Sequence, residues 1–199
     1  MFTVATHARA LIVLLLSFVA HDVVASDLDG KWAATLYAAR ISSEPGWEDV
    51  LVNPFGADYL DAFLAVAGVS RGYAHYNGGA LQLEAEGQIA YAFGDQQYWE
   101  LNVVPVVVRW QRFPWSRTLA TSAAFGLGLS YTTELPDIEV ELEGESRKLL
   151  VYWVAELTAG LPEKSWSVSL RLHHRSVAYG LMGDEGGMNA VGLGVRWQF

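Results

Sequence analysis

The most constraining feature of this sequence is a strict alternation of apolar and polar side chains over residues 81–93. One face of the segment carries Leu81, Leu83, Ala85, Gly87, Ile89, Tyr91 and Phe93. The other face carries Gln82, Glu84, Glu86 and Gln88. A helix would mix the two sets, because its side chains repeat every ~3.6 residues, whereas those of a strand repeat every two. The segment is therefore predicted to be a β-strand with one apolar and one polar face.

The same alternation recurs along the chain and predicts about eight strands in total. The other segments are residues 32–39, 59–73, 98–111, 118–132, 149–161, 166–179 and 189–199. Many of them exceed the ~5–6 residues that are usual in soluble sheets and suit the ~9–11 residues of a tilted membrane strand. An even number of such strands predicts an all-β fold, an eight-stranded antiparallel transmembrane β-barrel.

The charged side chains decide which face of the predicted barrel points inward. They include Glu84, Glu86, Arg171, Arg175 and Arg196, all on the polar faces. An Arg facing mid-bilayer lipid costs about 2–4 kcal/mol, whereas a small lumen can pair such charges. We therefore expect the polar faces inside, with His173 bonded there to Glu84 or Glu156. A soluble lipocalin-type barrel with the apolar face inward is the alternative; the charges and the terminal Phe199 disfavour it.

The first 25 residues have a different pattern. Arg9 precedes an apolar run at residues 10–20, and residues 21–25 end in Val-Val-Ala. This order is typical of a secretory signal peptide, and the run is shorter than the ~20 residues of a membrane-spanning helix. We expect a signal peptide at residues 1–25, cleaved before Ser26, and an outer-membrane barrel domain at residues 26–199. An uncleaved N-terminal anchor is the alternative.

The predicted connections between strands are of two kinds. Short turns rich in Gly or Pro lie at residues 74–79, 112–117 and 162–165. Longer connections lie at residues 41–58, 133–148 and 180–188, and residues 94–97 form a short exception. With the N-terminus in the periplasm, the turns would be periplasmic and the long loops extracellular. The six acidic residues of the 133–148 loop indicate a solvated loop rather than a cation site.

Charge and motifs exclude several classes of function. The formal net charge is −9, which disfavours nucleic acid as a partner, because phosphate contacts need Lys and Arg. The sequence contains no zinc-ligand spacing, phosphate-binding glycine loop or calcium loop, so it predicts no metal site and no cofactor.

A group of residues capable of chemistry lies in the segment His173-His174-Arg175-Ser176. Strand parity places His174 and Ser176 on the apolar, lipid-facing side, where residues two apart are neighbours. A serine nucleophile needs such an adjacent base, and a third group must orient the imidazole. Parity also places Asn189 of the next strand on this face, near the outer rim. The alternative is that these polar residues lie at the headgroup level without a chemical role.

The C-terminal stretch LRLHHRSVAYGLMGDEGGMNAVGLGVRWQF resembles the end of the outer-membrane lipid A deacylases, the PagL family. That family combines an eight-stranded barrel with a His-x-Ser motif on the penultimate strand and a Gly-rich last strand ending in an aromatic residue. His174 and Ser176 match the motif, and Asn189 falls where the family has its orienting Glu, for which Glu185 is a nearby substitute. Val177 stands where the family has an Asn associated with the oxyanion site. The resemblance covers roughly the last two strands.

The resemblance implies an esterase of the bacterial outer membrane that removes an acyl chain from lipid A or lipopolysaccharide. In that activity Ser176 would be the nucleophile, His174 the base and Asn189 the orienting group. The alternative is a non-enzymatic small barrel with a structural or interaction role.

Overall fold

The fold is a closed barrel of eight antiparallel strands in the order of the chain, as the alternation predicts. The computed structural model describes residues 31–44 and 46–199, so the predicted signal peptide lies outside the described residues. The strands are β1 (Trp32–Ser42), β2 (Tyr59–Tyr76), β3 (Leu81–Gly94), β4 (Tyr98–Trp110), β5 (Ala120–Thr132), β6 (Leu149–Gly160), β7 (Trp166–Ser176) and β8 (Gly187–Gln198). Two short helices, α1 (Trp47–Val52) and α2 (Asp137–Glu143), lie in the long loops.

The strand ends differ from their predicted positions where the backbone turns. Strand β2 continues to Tyr76, because the turn residue that follows, Asn77, has a φ of 52° and begins the reversal. Strand β7 stops at Ser176 rather than at residue 179, because Ala178 and Tyr179 have φ angles of 50° and 57°. Residues in the left-handed region cannot continue a strand, so alternation beyond Ser176 does not extend β7.

The lumen contains the charged side chains, as predicted from the cost of placing them in lipid. Three arginines alternate with three glutamates, so the cluster is formally neutral: Arg109 contacts Glu84 and Glu156, Arg171 contacts Glu86 and Glu156, and Arg196 contacts Glu84. All six side chains are buried. Buried charges are tolerated when each is paired and hydrogen-bonded, and this network fills the barrel with polar contacts rather than leaving a pore.

The prediction that His173 bonds to Glu84 or Glu156 was wrong. Its Nε2 lies 2.9 Å from Glu100 Oε1, and its Nδ1 lies 3.0 Å from the hydroxyl oxygen of Tyr37. Glu100 belongs to β4, on the wall of the barrel across from β7. Parity correctly placed His173 in the lumen but could not give the height at which side chains from opposite walls meet.

The outward face of the strands is apolar. It exposes large side chains including Leu36, Val103, Leu157, Leu193 and Val195. Such a continuous apolar surface is typical of a barrel wall that contacts lipid. Among the described residues, no helix is both long and apolar enough to cross a bilayer.

Helix α2 closes the end of the barrel that carries the long loops. Ile138 packs into the apolar cluster at this end with Tyr98 and Met188. Glu139 is fully buried, and its Oε1 lies 3.2 Å from Arg175 Nε. The interpretation of the 133–148 loop as wholly solvated was therefore wrong for Glu139. Burial raises the pKa of this carboxyl group to about 7, although Arg175 opposes the rise.

Candidate functional site

His174 and Asn189 are direct cross-strand partners in the pairing of β7 with β8. Both side chains point outward, because the residues next to them in the sequence point into the lumen. These lumen residues are His173, Arg175 and Ala190. The Nδ1 atom of His174 lies 2.7 Å from the Oδ1 atom of Asn189. The structure therefore brings together the two residues that parity placed on one face.

The main-chain carbonyl of Glu44 fixes the orientation of the Asn189 amide. Asn189 Nδ2 donates a hydrogen bond to this oxygen over 3.2 Å. A carbonyl oxygen can only accept, so the amide nitrogen faces Glu44 and the amide oxygen faces His174. His174 must then carry its proton on Nδ1, which leaves a lone pair on Nε2. An imidazole in this tautomer can act as a base through Nε2.

Aromatic rings cover His174 on the outer wall. Trp153 of β6 is opposite His174 in the strand pairing, and their ring centroids are 4.6 Å apart. Trp47 of α1 meets Trp153 edge-on, with a centroid distance of 5.4 Å. The β1–β2 loop therefore packs against the outside of the barrel, and His174 is only 8% exposed. No sequence pattern indicated this cover, because it depends on the path of a loop.

Ser176 lies at the end of β7, opposite Gly187 of β8. Its hydroxyl oxygen accepts a hydrogen bond from the main-chain N–H of Ala178 over 3.3 Å. Within the described part of the chain, His174 and Ser176 share no hydrogen bond. Gly187 permits the close approach of the strands, since a Cβ atom there would lie 2.2 Å from the main-chain oxygen of Arg175.

The two main-chain N–H groups that follow Ser176 are both engaged. Val177 donates to the main-chain oxygen of Gly186 over 3.3 Å, and Ala178 donates to Ser176 itself. Ala178 has a left-handed φ of 50° although it carries a Cβ atom, and such backbone strain often occurs at functional sites. An oxyanion at Ser176 would need one of these donors to be released.

A cavity of about 200 Å³ joins these elements at the outer rim. Its walls include His174, Ser176, Val177 and Asn189, with Ser42 and Glu44 from the end of β1, Leu142 and Glu143 of α2, and residues of the β7–β8 loop. Glu185 also borders it, but this exposed side chain forms no hydrogen bond with His174 among the described residues. Asn189 rather than Glu185 is therefore in position to orient the imidazole.

Comparison with known proteins identifies structures of similar fold but no family. No protein-family model matches the chain, and no curated protein matches it. A crystal structure of the outer membrane enzyme PagL is 14% identical, covers 84% of this chain and 98% of that one, and has a TM-score of 0.55. The N-terminal β-barrel domain of Pseudomonas aeruginosa OprF is 14% identical, with 86% and 100% coverage and a TM-score of 0.42. The outer membrane protein AlkL is 11% identical, with 88% and 92% coverage and a TM-score of 0.39.

At these identities the likeness concerns architecture alone. The chain has the fold of eight-stranded outer-membrane barrels, which agrees with the predicted location in the bacterial outer membrane.

Proposed function

We propose that this protein is an outer-membrane esterase, resembling lipid A 3-O-deacylase, that hydrolyses an ester-linked acyl chain of an outer-leaflet lipid. The observation that carries the proposal is the 2.7 Å contact between His174 Nδ1 and Asn189 Oδ1 on the outer wall, with Ser176 bordering the same cavity. A serine hydroxyl is inert until a base removes its proton, and the tautomer set by Asn189 provides that base. Lipid A or lipopolysaccharide is the proposed substrate, because the outward placement of His174 and Asn189 suits an acyl ester at the bilayer surface.

The reaction would follow the usual order of serine esterases. Ser176 Oγ attacks the carbonyl carbon of the ester while Nε2 of His174 takes the hydroxyl proton. The tetrahedral intermediate collapses when the alcohol oxygen of the lipid leaves with that proton from the imidazolium. Water, activated by the same imidazole, then attacks the acyl-serine and releases the fatty acid. Asn189 holds the ring in place throughout.

One movement of Ser176 would provide both the attack and an oxyanion donor. Its hydroxyl oxygen now accepts the N–H of Ala178. Rotation about the Cα–Cβ bond that brings Oγ toward His174 would break this bond and free that N–H. The released amide could then donate to the developing oxyanion, since hydrogen-bonded serine pairs often tighten only when substrate is bound. This arrangement would replace the Asn that the deacylase family has where Val177 stands.

A non-enzymatic barrel with a structural or interaction role is the second candidate. It is favoured by the absence of a hydrogen bond between His174 and Ser176 in the described residues, and by the engaged N–H of Val177. In that case the His174–Asn189 contact would only tie β7 and β8 to the β1–β2 loop.

Mass spectrometry of lipid A distinguishes these candidates. Lipid A is extracted from cells that produce the wild type, Ser176→Ala, or Ser167→Ala. Ser167 lies on the same strand near the opposite end and is a matched control. We expect loss of one acyl chain with the wild type and with Ser167→Ala, and intact lipid A with Ser176→Ala. Full acylation with the wild type, or deacylation by Ser176→Ala, would refute the esterase.

A further inference from the structure

The β1–β2 loop runs along the outside of the barrel wall rather than over its mouth. Trp47 contacts Trp153, whose side chain points away from the lumen, and Val50 of α1 is fully buried. Before the helix, the carbonyl of Glu44 accepts the amide of Asn189, which is also an outward side chain. Helix α1 therefore begins where the lipid-facing surface of the barrel reaches the outer rim.

Helix α1 is amphipathic despite its six residues. Trp47, Val50 and Leu51 are three and four positions apart and share one side, whereas Glu48, Asp49 and Val52 share the other side. Three apolar side chains of this segment are exposed: Leu51 at 50%, Val52 at 84% and Phe55 at 88%. Leu51 lies on the apolar side of the helix and Phe55 follows the helix, and exposed large apolar side chains of this kind indicate a contact with another apolar phase.

We propose that residues 46–57, the α1 segment, insert Leu51 and Phe55 among the acyl chains of the outer leaflet, beside the cavity that contains His174. The occupant is lipid rather than a protein partner, because the exposed side chains continue the apolar outer wall through the contact of Trp47 with Trp153. An amphipathic helix with an aromatic residue on its apolar side is suited to the membrane interface. The proposal concerns the membrane contact of a loop and does not depend on ester hydrolysis.

Insertion would also bear on the candidate site. The segment begins two residues after Glu44, whose carbonyl oxygen orients the amide of Asn189. A leaflet that holds the segment against the wall would therefore keep that carbonyl in place.

Fluorescence quenching tests the insertion directly. The chain contains no cysteine, so Phe55→Cys provides a single attachment point for an environment-sensitive fluorophore, and Glu141→Cys, at an exposed position of α2, is the control. Both proteins are folded into phosphatidylcholine vesicles, with or without nitroxide lipids, and titrated with iodide. We expect the label at residue 55 to be quenched by the nitroxide lipids, and several-fold less by iodide than the label at residue 141.

Two outcomes would overturn the proposal. Equal iodide quenching at the two positions would place the segment in water. Protection from iodide without nitroxide quenching would mean that protein, from a second copy of the chain, covers it. Leu51→Cys repeats the measurement at another exposed position, so that failure of one variant to fold leaves the test intact. The readout does not involve catalysis, so loss of the esterase proposal would not affect it.

Discussion

Replacing Asn189 by Leu should change the tautomer of His174. In the wild type, Asn189 Oδ1 accepts the Nδ1 proton over 2.7 Å, and the Glu44 carbonyl prevents the amide from turning its NH2 group toward the ring. Leucine has a similar size but no acceptor. The imidazole would then lose the contact that keeps its proton on Nδ1, and the population with the proton on Nε2 would increase.

The size of the effect follows from the single hydrogen bond that is lost. A hydrogen bond between neutral groups contributes about 0.5–1.5 kcal/mol net. Since about 1.4 kcal/mol corresponds to a factor of ten, the ratio of the Nδ1–H to the Nε2–H form should fall roughly 2- to 13-fold. In the proposed reaction only the Nδ1–H form can accept the proton of Ser176, so the rate of deacylation should fall as well.

The ¹⁵N NMR shifts of the histidine ring nitrogens report this ratio. The protein is labelled with ¹⁵N-histidine, refolded in detergent micelles and measured at mildly alkaline pH, and the His174 signals are those that His174→Gln removes. Ser176→Ala is the matched control and should leave the ratio unchanged, because it keeps the contact with Asn189. A wild-type protein with its proton mainly on Nε2 would refute the orientation deduced for the amide.

Two further predictions concern buried carboxyl groups. Glu84→Gln should lower the free energy of unfolding by about 3–5 kcal/mol, because it leaves Arg109 and Arg196 without their shared carboxylate. Thermal unfolding followed by gel mobility should show a lower midpoint for this variant and an unchanged midpoint for the control Glu163→Gln, whose side chain is exposed. Equal midpoints for Glu84→Gln and the wild type would contradict the prediction. Burial raises the pKa of Glu139 from 4.5 to about 7, so the folded protein binds the extra proton and stability from this group increases as pH falls through that interval. Glu139→Gln should remove this pH-dependent contribution to stability. If the variant and the wild type have the same pH profile of unfolding, the contribution of Glu139 is excluded.

The faces of the barrel could be predicted from the sequence, because a strand allows only two directions for each side chain. Alternation separates Glu84 and Arg171 from the apolar set, and the cost of charge in lipid then assigns the charged set to the lumen. The same rule placed His174 and Asn189 together, since adjacent antiparallel strands joined by one loop bring equivalent heights into register. These inferences needed only local periodicity and one comparison of solvation energies.

Contacts that depend on three-dimensional paths could not be predicted in this way. Glu100 reaches His173 across the lumen, and this meeting depends on the tilt and stagger of β4 against β7. Glu139 enters the mouth of the barrel because α2 turns one side inward, which a run of acidic residues does not indicate. Trp47 covers the outer wall for a similar reason: a loop can pass over either side of a rim, and its composition does not determine which.

The cover formed by this loop bears on whether the polar pair at the rim has a chemical role. A structural tie between β7, β8 and the loop is completed by the contacts of Asn189 with His174 Nδ1 and with the Glu44 carbonyl. Among the described residues, His174 Nε2 has no hydrogen-bond partner and is not fully buried, although the residue as a whole is only 8% exposed. A structural tie does not need this lone pair, because an apolar side chain could also hold the loop. An oriented base next to a serine gives the exposed lone pair a use, and for this reason the esterase is preferred to the structural tie.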